Sequence, residues 1–289
     1  MKYTNKLGLP APIANAVMRD PYTKGTADFS VTELLGPARI RQLEIRHYDE
    51  LTEDVSDRIF SLLGQSIHSI LERSCADGVS ERRLSITVDD ATISGQMDYY
   101  LDGVLVDYKT TSSYQFQGVG LKEEYVQQLN IYAEILRQNG HPVKSLQICA
   151  VLRDWSRTQA MREPNYPQQG VVLREAPVWS SEECMSFIRA RIKAHRDAEK
   201  ELPLCSAAER WERPGVHAVM KEGRKSALKL YPADVPGSDT DAKRLADSTP
   251  GCSVVFRPGT SPRCEMYCPV SQFCSVYQST KKGESSNEV

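Results

Sequence analysis

Apolar residues recur three and four positions apart over residues 53–75, where Ile59, Leu62, Leu63, Ile67, Ile70 and Leu71 line one side of a predicted amphipathic helix that stops before Asp77-Gly78. His68 lies on that helix, with Gly64 and Glu72 one turn to either side. From Leu84 to Thr110 the period shortens to two and β-branched residues accumulate, with Asp102-Gly103 between two apolar runs, which predicts a tight hairpin. Helical spacing returns over 122–139 (KEEYVQQLNIYAEILRQN), closed by Gly140, and SLQICAVLRDW at 145–155 reads as a buried strand. A charged helix is expected at about 180–200, stopped by Pro203. Upstream, FSVTELLGPARIRQLEIRH carries a Ser30/Thr32 cap signal and helical spacing, while the residues before it are broken by Pro, Gly and Lys and read as irregular.

The order helix, strands, helix, strand predicts an α/β core. At 289 residues the chain has room for one large domain and a small appended module. We expect an N-terminal arm over 1–29, a core over 30–202, a cysteine-bearing module over 203–278 and a disordered polar tail over 279–289. Hydrophobic residues make up 40% and charged residues 26%, which excludes a collagenous or disordered chain. No run approaches the ~18 apolar residues of a membrane span and no secretory leader is evident, so a cytoplasmic protein without membrane partners is expected. The net charge of −2 does not announce nucleic-acid binding. Charge is locally uneven, however. Between Arg210 and Lys229 six basic residues face Glu212 and Glu222, a patch that suits either a polyanion or a solvated surface.

Turn chemistry makes the hairpin informative. If Asp102-Gly103 is a two-residue turn, Leu101 faces Val104, Tyr100 faces Leu105, Tyr99 faces Val106, and Asp98 falls opposite Asp107. Paired like charges are unfavourable unless a cation bridges them, and hard oxygen donors suit Mg²⁺ or Mn²⁺. Alternation puts Lys109 on the face of Asp107, with Val104, Val106 and Tyr108 expected to point into the core. An ammonium beside two metal-binding carboxylates can stabilise charge on a phosphoryl group under attack by water. An ordinary cross-strand ion pair between Asp98 and Lys109 is the alternative.

These residues carry a family resemblance. GQMD at 95–98 and VDYKT at 106–110 look like the second and third motifs of the PD-(D/E)XK nuclease superfamily. Gly64-Gln65-Ser66-Ile67-His68 is similar to the GxxxH motif of its RecB-like members, and Gln128-Leu129-Asn130-Ile131-Tyr132 to their QxxxY motif. The resemblance spans roughly residues 55–155. It implies a restriction-endonuclease-like mixed sheet flanked by helices. It also implies metal ligation by His68, Asp98, Asp107 and the Tyr108 carbonyl, Lys109 as the catalytic lysine, and Gln128 and Tyr132 positioning the DNA strand or the lysine. The implied activity is metal-dependent hydrolysis of DNA, as an exonuclease on single strands or DNA ends, alongside a helicase or recombination protein in repair, recombination or replication within a bacterial or phage-infected cell. A structure-specific endonuclease or a non-catalytic DNA-binding subunit are the alternatives.

Eight cysteines without a secretory leader point to buried thiols or a metal centre rather than disulfides. Cys264, Cys268 and Cys274 are spaced by three and five residues, and Cys205 follows the charged helix. The set resembles the cysteine clusters of iron–sulfur nucleases related to RecB, which implies a structural [4Fe-4S] cluster, with Zn²⁺ the alternative. Cys75 and Cys252 are rivals for the fourth ligand, and Cys149 and Cys184 are expected in the core.

Overall fold

A computed structural model describes residues 1–19, 23–118 and 120–285. The chain divides into two compact units, Met1–Leu202 and Pro203–Val289.

In the first unit the N-terminal segment is not irregular. Strand β1 (Lys2–Thr4) is followed by helix α1 (Ala11–Met18), and then by β2 (Phe29–Ser30), α2 (Val31–Leu35), α3 (Ala38–Arg46) and β3 (Thr52–Asp54). β1 pairs in parallel with β3, and Ala14 and Val17 of α1 pack on the buried Val55. Tertiary pairing thus organises residues whose local pattern carries no period. The cap signal at Ser30 is a capping box: Glu33 N–H donates to Ser30 Oγ (3.1 Å) and Ser30 N–H to Glu33 Oε2 (2.8 Å). The single expected helix is split into α2 and α3 by Gly36-Pro37, because the residue before proline is held in extended backbone.

Next come α4 (Ile59–Ser74), β4 (Val79–Val88), β5 (Ala91–Leu101) and β6 (Val104–Thr111), then α5 (Glu123–Gln138) and β7 (Ser145–Leu152). α6 (Arg157–Arg162), β8 (Val171–Ala176) and α7 (Ser181–Lys200) complete the unit. The main sheet runs β2-β5-β6-β7-β8, with β4 on the other edge of β5. It is mixed: β2–β5 and β6–β7 are parallel, and β4–β5, β5–β6 and β7–β8 antiparallel. Helices flank it, as in a restriction-endonuclease-like fold. The hydrophobic core joins this sheet to α5 and α7 through Leu105, Leu129, Ile135, Leu146, Ile148 and Ile188, all fully buried. At about 25 cal/mol per Å² of apolar surface removed from water, each of these side chains contributes on the order of 1.5–3 kcal/mol.

The sheet alternation differs from expectation on β6. Leu105 and Asp107 are the buried positions, while Val104, Val106 and Tyr108 are half-buried on the opposite face. Leu105 pairs with Leu146 and Asp107 with Ile148 across the parallel ladder, so the acid continues the core-facing row. Cys149 pairs with Tyr108 and is likewise half-buried rather than in the core, whereas Cys184 is fully buried on α7.

The second unit contains α8 (Ala207–Arg210), β9 (Val216–Lys221), β10 (Lys229–Pro232), α9 (Ser238–Asp247), β11 (Cys252–Arg257), a π-helical turn (Arg263–Tyr267) and α10 (Ser275–Ser285). Its antiparallel sheet has the order β10-β9-β11, with Ala242 and Ala246 of α9 packed on Val219. The expected disordered tail is helical as far as Ser285, and residues 286–289 lie outside the described residues.

Candidate active site

The β5–β6 turn has the geometry that its sequence predicts, with φ +51° at Asp102 and +93° at Gly103, and the register Leu101–Val104, Tyr100–Leu105, Tyr99–Val106. The ladder stops there. β4 occupies one edge of β5 along its length, and on the other edge β2 pairs with Ile93 and Ser94 while β6 pairs with Tyr99 to Leu101. Among the described residues, 95–98 therefore have no strand partner on that edge. The sheet is split at the GQMD segment, and a cavity of about 790 Å³ opens beside it.

His68, Asp98, Asp107, Tyr108, Lys109, Gln128 and Tyr132 all line this cavity, with Gly64 and Glu72. Instead of continuing the ladder, Asp98 turns its carboxylate so that Oδ2 accepts the Tyr108 N–H at 2.6 Å. Its Oδ1 stands 3.4 Å from His68 Nδ1. Lys109 Nζ lies 2.7 Å from Asp107 Oδ2 and donates to Gln128 Oε1 at 2.9 Å, and Gln128 Nε2 donates to the Tyr132 hydroxyl at 3.0 Å. Because Gln128 and Tyr132 are one helical turn apart on α5, that helix holds the lysine end with two consecutive hydrogen bonds. The Tyr132 ring in turn lies on bare backbone: a Cβ at Gly95 would come within 2.7 Å of it.

One residue of the site, Glu81, escapes the sequence reading. Its Oε1 is 2.9 Å from His68 Nδ1, and its Oε2 accepts from Gln96 Nε2 at 2.7 Å. Glu81, rather than Glu72, is thus the acid hydrogen-bonded to the imidazole. It has φ +49°, a left-handed backbone that is rare for a non-glycine residue. The β4–β5 register holds on both sides of it, Ser80–Tyr99 and Arg82–Met97, and omits the Glu81–Asp98 pair between them. The apolar buried positions of β5 slip at the same point, running Ala91, Ile93, Met97 and then Tyr100. A local twist in both strands therefore turns two acids out of the ladder and into the cavity.

Electrostatics follow from this crowding. Asp98 is 8% and Asp107 2% exposed. Burial, reinforced by the Asp107 charge, pushes the Asp98 carboxyl up to about 7. The hydrogen bond to Glu81 raises the His68 imidazole, outweighing the opposing effect of burial. For Lys109, burial would favour the neutral amine, but Asp107 and Asp98 reverse it and hold the ammonium. Asp107 Oδ2 is buried without a well-directed hydrogen bond, since the lysine contact is close but misaligned. A surplus of acidic oxygens with one imidazole, with donor atoms of His68, Glu81 and Asp98 all within 4.8 Å of one another, fits a divalent cation.

The cysteines fall in the second unit. Cys205, Cys264, Cys268 and Cys274 are all half-buried, and no cysteine forms a disulfide. Chain segments remote in sequence are tied together around them. Arg210 binds the Cys205 carbonyl and Glu212, Arg263 donates to the Glu209 carbonyl at 2.9 Å, and its guanidinium lies 4.6 Å over the Trp211 ring. Arg213 and Thr260 exchange backbone hydrogen bonds, and the Cys274 thiol helps raise that of Cys264 after the larger effect of burial. Cys252 instead packs in the α9 core, and the Cys75 thiol donates to the Asp77 carbonyl in the first unit.

No family model matches the chain, and no curated protein matches it in sequence. Among solved structures it is similar to SSO0001, at 15% identity and a TM-score of 0.44, over 63% of this chain and 82% of that one. It is also similar to a presumptive exonuclease of Eubacterium rectale, at 15% identity and a TM-score of 0.33, over 57% of this chain and 63% of that one. Likenesses this distant carry no argument about chemistry. Among the described residues no helix is long and apolar enough to cross a membrane.

Proposed function

We propose that the chain is a metal-dependent nuclease that hydrolyses DNA phosphodiester bonds. The observation that carries this reading is the meeting of Asp98, Asp107 and Lys109 with His68 and Glu81 at the split in the sheet. Asp98, Asp107, His68 and the Tyr108 carbonyl would hold Mg²⁺ or Mn²⁺, and Glu81 is a further donor. A bound ion would supply Lewis-acid polarisation of the phosphate and a water acidic enough to attack near neutral pH. Lys109, held by Gln128 and Tyr132, keeps a positive charge where negative charge grows on the phosphoryl oxygens. His68 Nδ1 faces both Glu81 and Asp98, so these two acids together set the orientation of the imidazole.

An exonuclease acting on single strands or DNA ends is the favoured subtype, with a helicase or recombination protein as its partner. A structural [4Fe-4S] cluster or Zn²⁺ on Cys205, Cys264, Cys268 and Cys274 belongs to the same proposal, and since among the described residues no three of these half-buried thiols lie within 4.8 Å of one another, they would have to draw together on binding it. The arginine-linked strap supports Cys205 as the fourth ligand over Cys252, which is occupied in a hydrophobic core. The exposed Lys221, Arg224 and Lys225 remain available to a phosphate backbone.

Digestion of end-labelled linear DNA with Mg²⁺ or Mn²⁺ tests the proposal. Wild type should release labelled nucleotides, while Asp107→Ala and Lys109→Ala should lose activity with folding retained. Activity that survives both substitutions, or that needs no divalent ion, would reject the site. Circular single-stranded DNA separates the subtypes, because only an endonuclease cuts it. Visible absorbance of anaerobically purified protein distinguishes the cluster from zinc.

A further inference from the structure

Phe60 is the second residue of α4 and lines the same cavity as the acids, yet 60% of its surface is exposed. An aromatic ring in that place contributes little to folding, since most of its apolar surface stays in water. One face is already occupied. The Arg153 guanidinium lies 4.0 Å from the ring centroid, brought there by the end of β7, where Arg153 N–H donates to the Thr111 carbonyl at 2.9 Å. One turn further along α4, Gly64 leaves open space: a Cβ there would meet nothing within 4 Å. The cavity edge thus offers a flat aromatic surface with room beside it, and the exposed Arg153 guanidinium lies on that surface.

We infer that Phe60 and Arg153 form a stacking subsite for an unpaired nucleobase, next to the phosphate that the acids and Lys109 would receive. The inference rests on the proposed nucleolytic reading and adds the form of the substrate. A base can lie on Phe60 only if its face is uncovered, so the strand enters single, or with its terminal nucleotide unstacked. Arg153 serves twice, by polarising the ring and by attracting the neighbouring phosphate. Stacking on an aromatic ring is tolerant of sequence, so the subsite selects strandedness rather than base identity.

The test uses the full chain, with a short oligothymidylate as the probe, in EDTA so that no cleavage intervenes. Phe60→Ala should weaken binding roughly tenfold, and Phe60→Trp should retain it and show emission quenched by the oligonucleotide beyond the response of wild type. Arg153→Gln should flatten the salt dependence by about one phosphate contact. A fully paired duplex of the same length should bind equally well to wild type and Phe60→Ala. Unchanged affinity in Phe60→Ala, no added quenching in Phe60→Trp, or failure of wild type to bind the oligonucleotide overturns the subsite. Its fate separates from that of the nuclease reading. Metal-dependent cleavage with an unchanged KM in Phe60→Ala removes the subsite alone, whereas quenching without any cleavage by wild type keeps the subsite and removes the nuclease.

Discussion

Substituting Gly95 by alanine tests how the lysine is positioned. The added Cβ would lie 2.7 Å from Cδ1 and Cε1 of Tyr132 and 3.1 Å from Ile135 Cδ1, where ordinary contact begins at 3.4 Å. The ring must therefore retreat by about 0.7 Å. It sits in close-packed surroundings, since Tyr132 is buried and Ile131, Ala133 and Ile135 beside it on α5 are fully so. Overpacking of this kind costs about 1–3 kcal/mol, and alanine recovers ~0.5–1 kcal/mol over glycine within a strand, so the net loss is on the order of 1–2 kcal/mol. For a unit of this size that lowers Tm by roughly 2–8 °C. The displacement passes to Gln128 through its 3.0 Å bond to the Tyr132 hydroxyl, and to Lys109 through the 2.9 Å bond beyond. If the proposed nucleolytic reading holds, misplacing Lys109 by a fraction of an ångström should lower kcat by about ten- to a hundredfold. Thermal denaturation and DNA cleavage of Gly95→Ala and of Gly95→Ala/Tyr132→Leu measure both effects. The double variant should regain stability but not activity. Wild-type stability and wild-type kcat in Gly95→Ala would refute the reasoning.

Gly64→Ala should act in the opposite direction, stabilising α4 by up to about 1 kcal/mol because its Cβ meets nothing, while slowing cleavage if substrate needs that space; urea unfolding and kinetics on one preparation decide. His195 is fully buried, its Nε2 bonded to the Leu34 carbonyl at 3.0 Å, and burial lowers its pKa from 6.5 to about 4. The unfolded chain therefore takes up a proton that the folded one refuses. His195 should contribute stability above pH 6.5 that falls by up to about 3 kcal/mol on acidification to pH 4, read as the difference between wild type and His195→Gln in urea unfolding across that range. Asn130 is fully buried and joins α5 to the 177–179 segment, donating to the Val126 and Pro177 carbonyls and accepting from Trp179 N–H; Asn130→Leu should cost about 2–4 kcal/mol through orphaned backbone groups, measured by thermal unfolding.

Much of the site is legible from turn chemistry. Asp102-Gly103 admits left-handed backbone at both positions, so the pairing of Asp98's neighbours with those of Asp107 follows by counting. The preceding hairpin counts in the same way. Asp89, at φ +55°, turns the chain so that Val88 pairs with Ala91, and counting outward sets Glu81 opposite Asp98. The Asp89-Asp90 dipeptide is a weaker turn signal than Asp-Gly, so the place of Glu81 is not legible from the sequence. The inward face of β6 was less legible, since Val104, Val106 and Tyr108 are more apolar than the Asp107 and Lys109 that share Leu105's side. Only the parallel pairing with Leu146 and Ile148, supplied from forty residues away, decides it. The N-terminal strands are invisible for a related reason: β1 is three residues long and exists because β3 is there to pair with it.

The placement of Asp107 in a core-facing row constrains how this hairpin can change. Adding or deleting one residue within a paired arm, Tyr99 to Leu101 or Val104 to Val106, would exchange the two sides of the ribbon, sending the carboxylate outward and the Tyr108 phenol inward. Insertions and deletions in the arms should therefore be tolerated only in even steps, with odd ones confined to the tip at Asp102-Gly103. The same oily surface that folds the protein thus keeps its acids in frame.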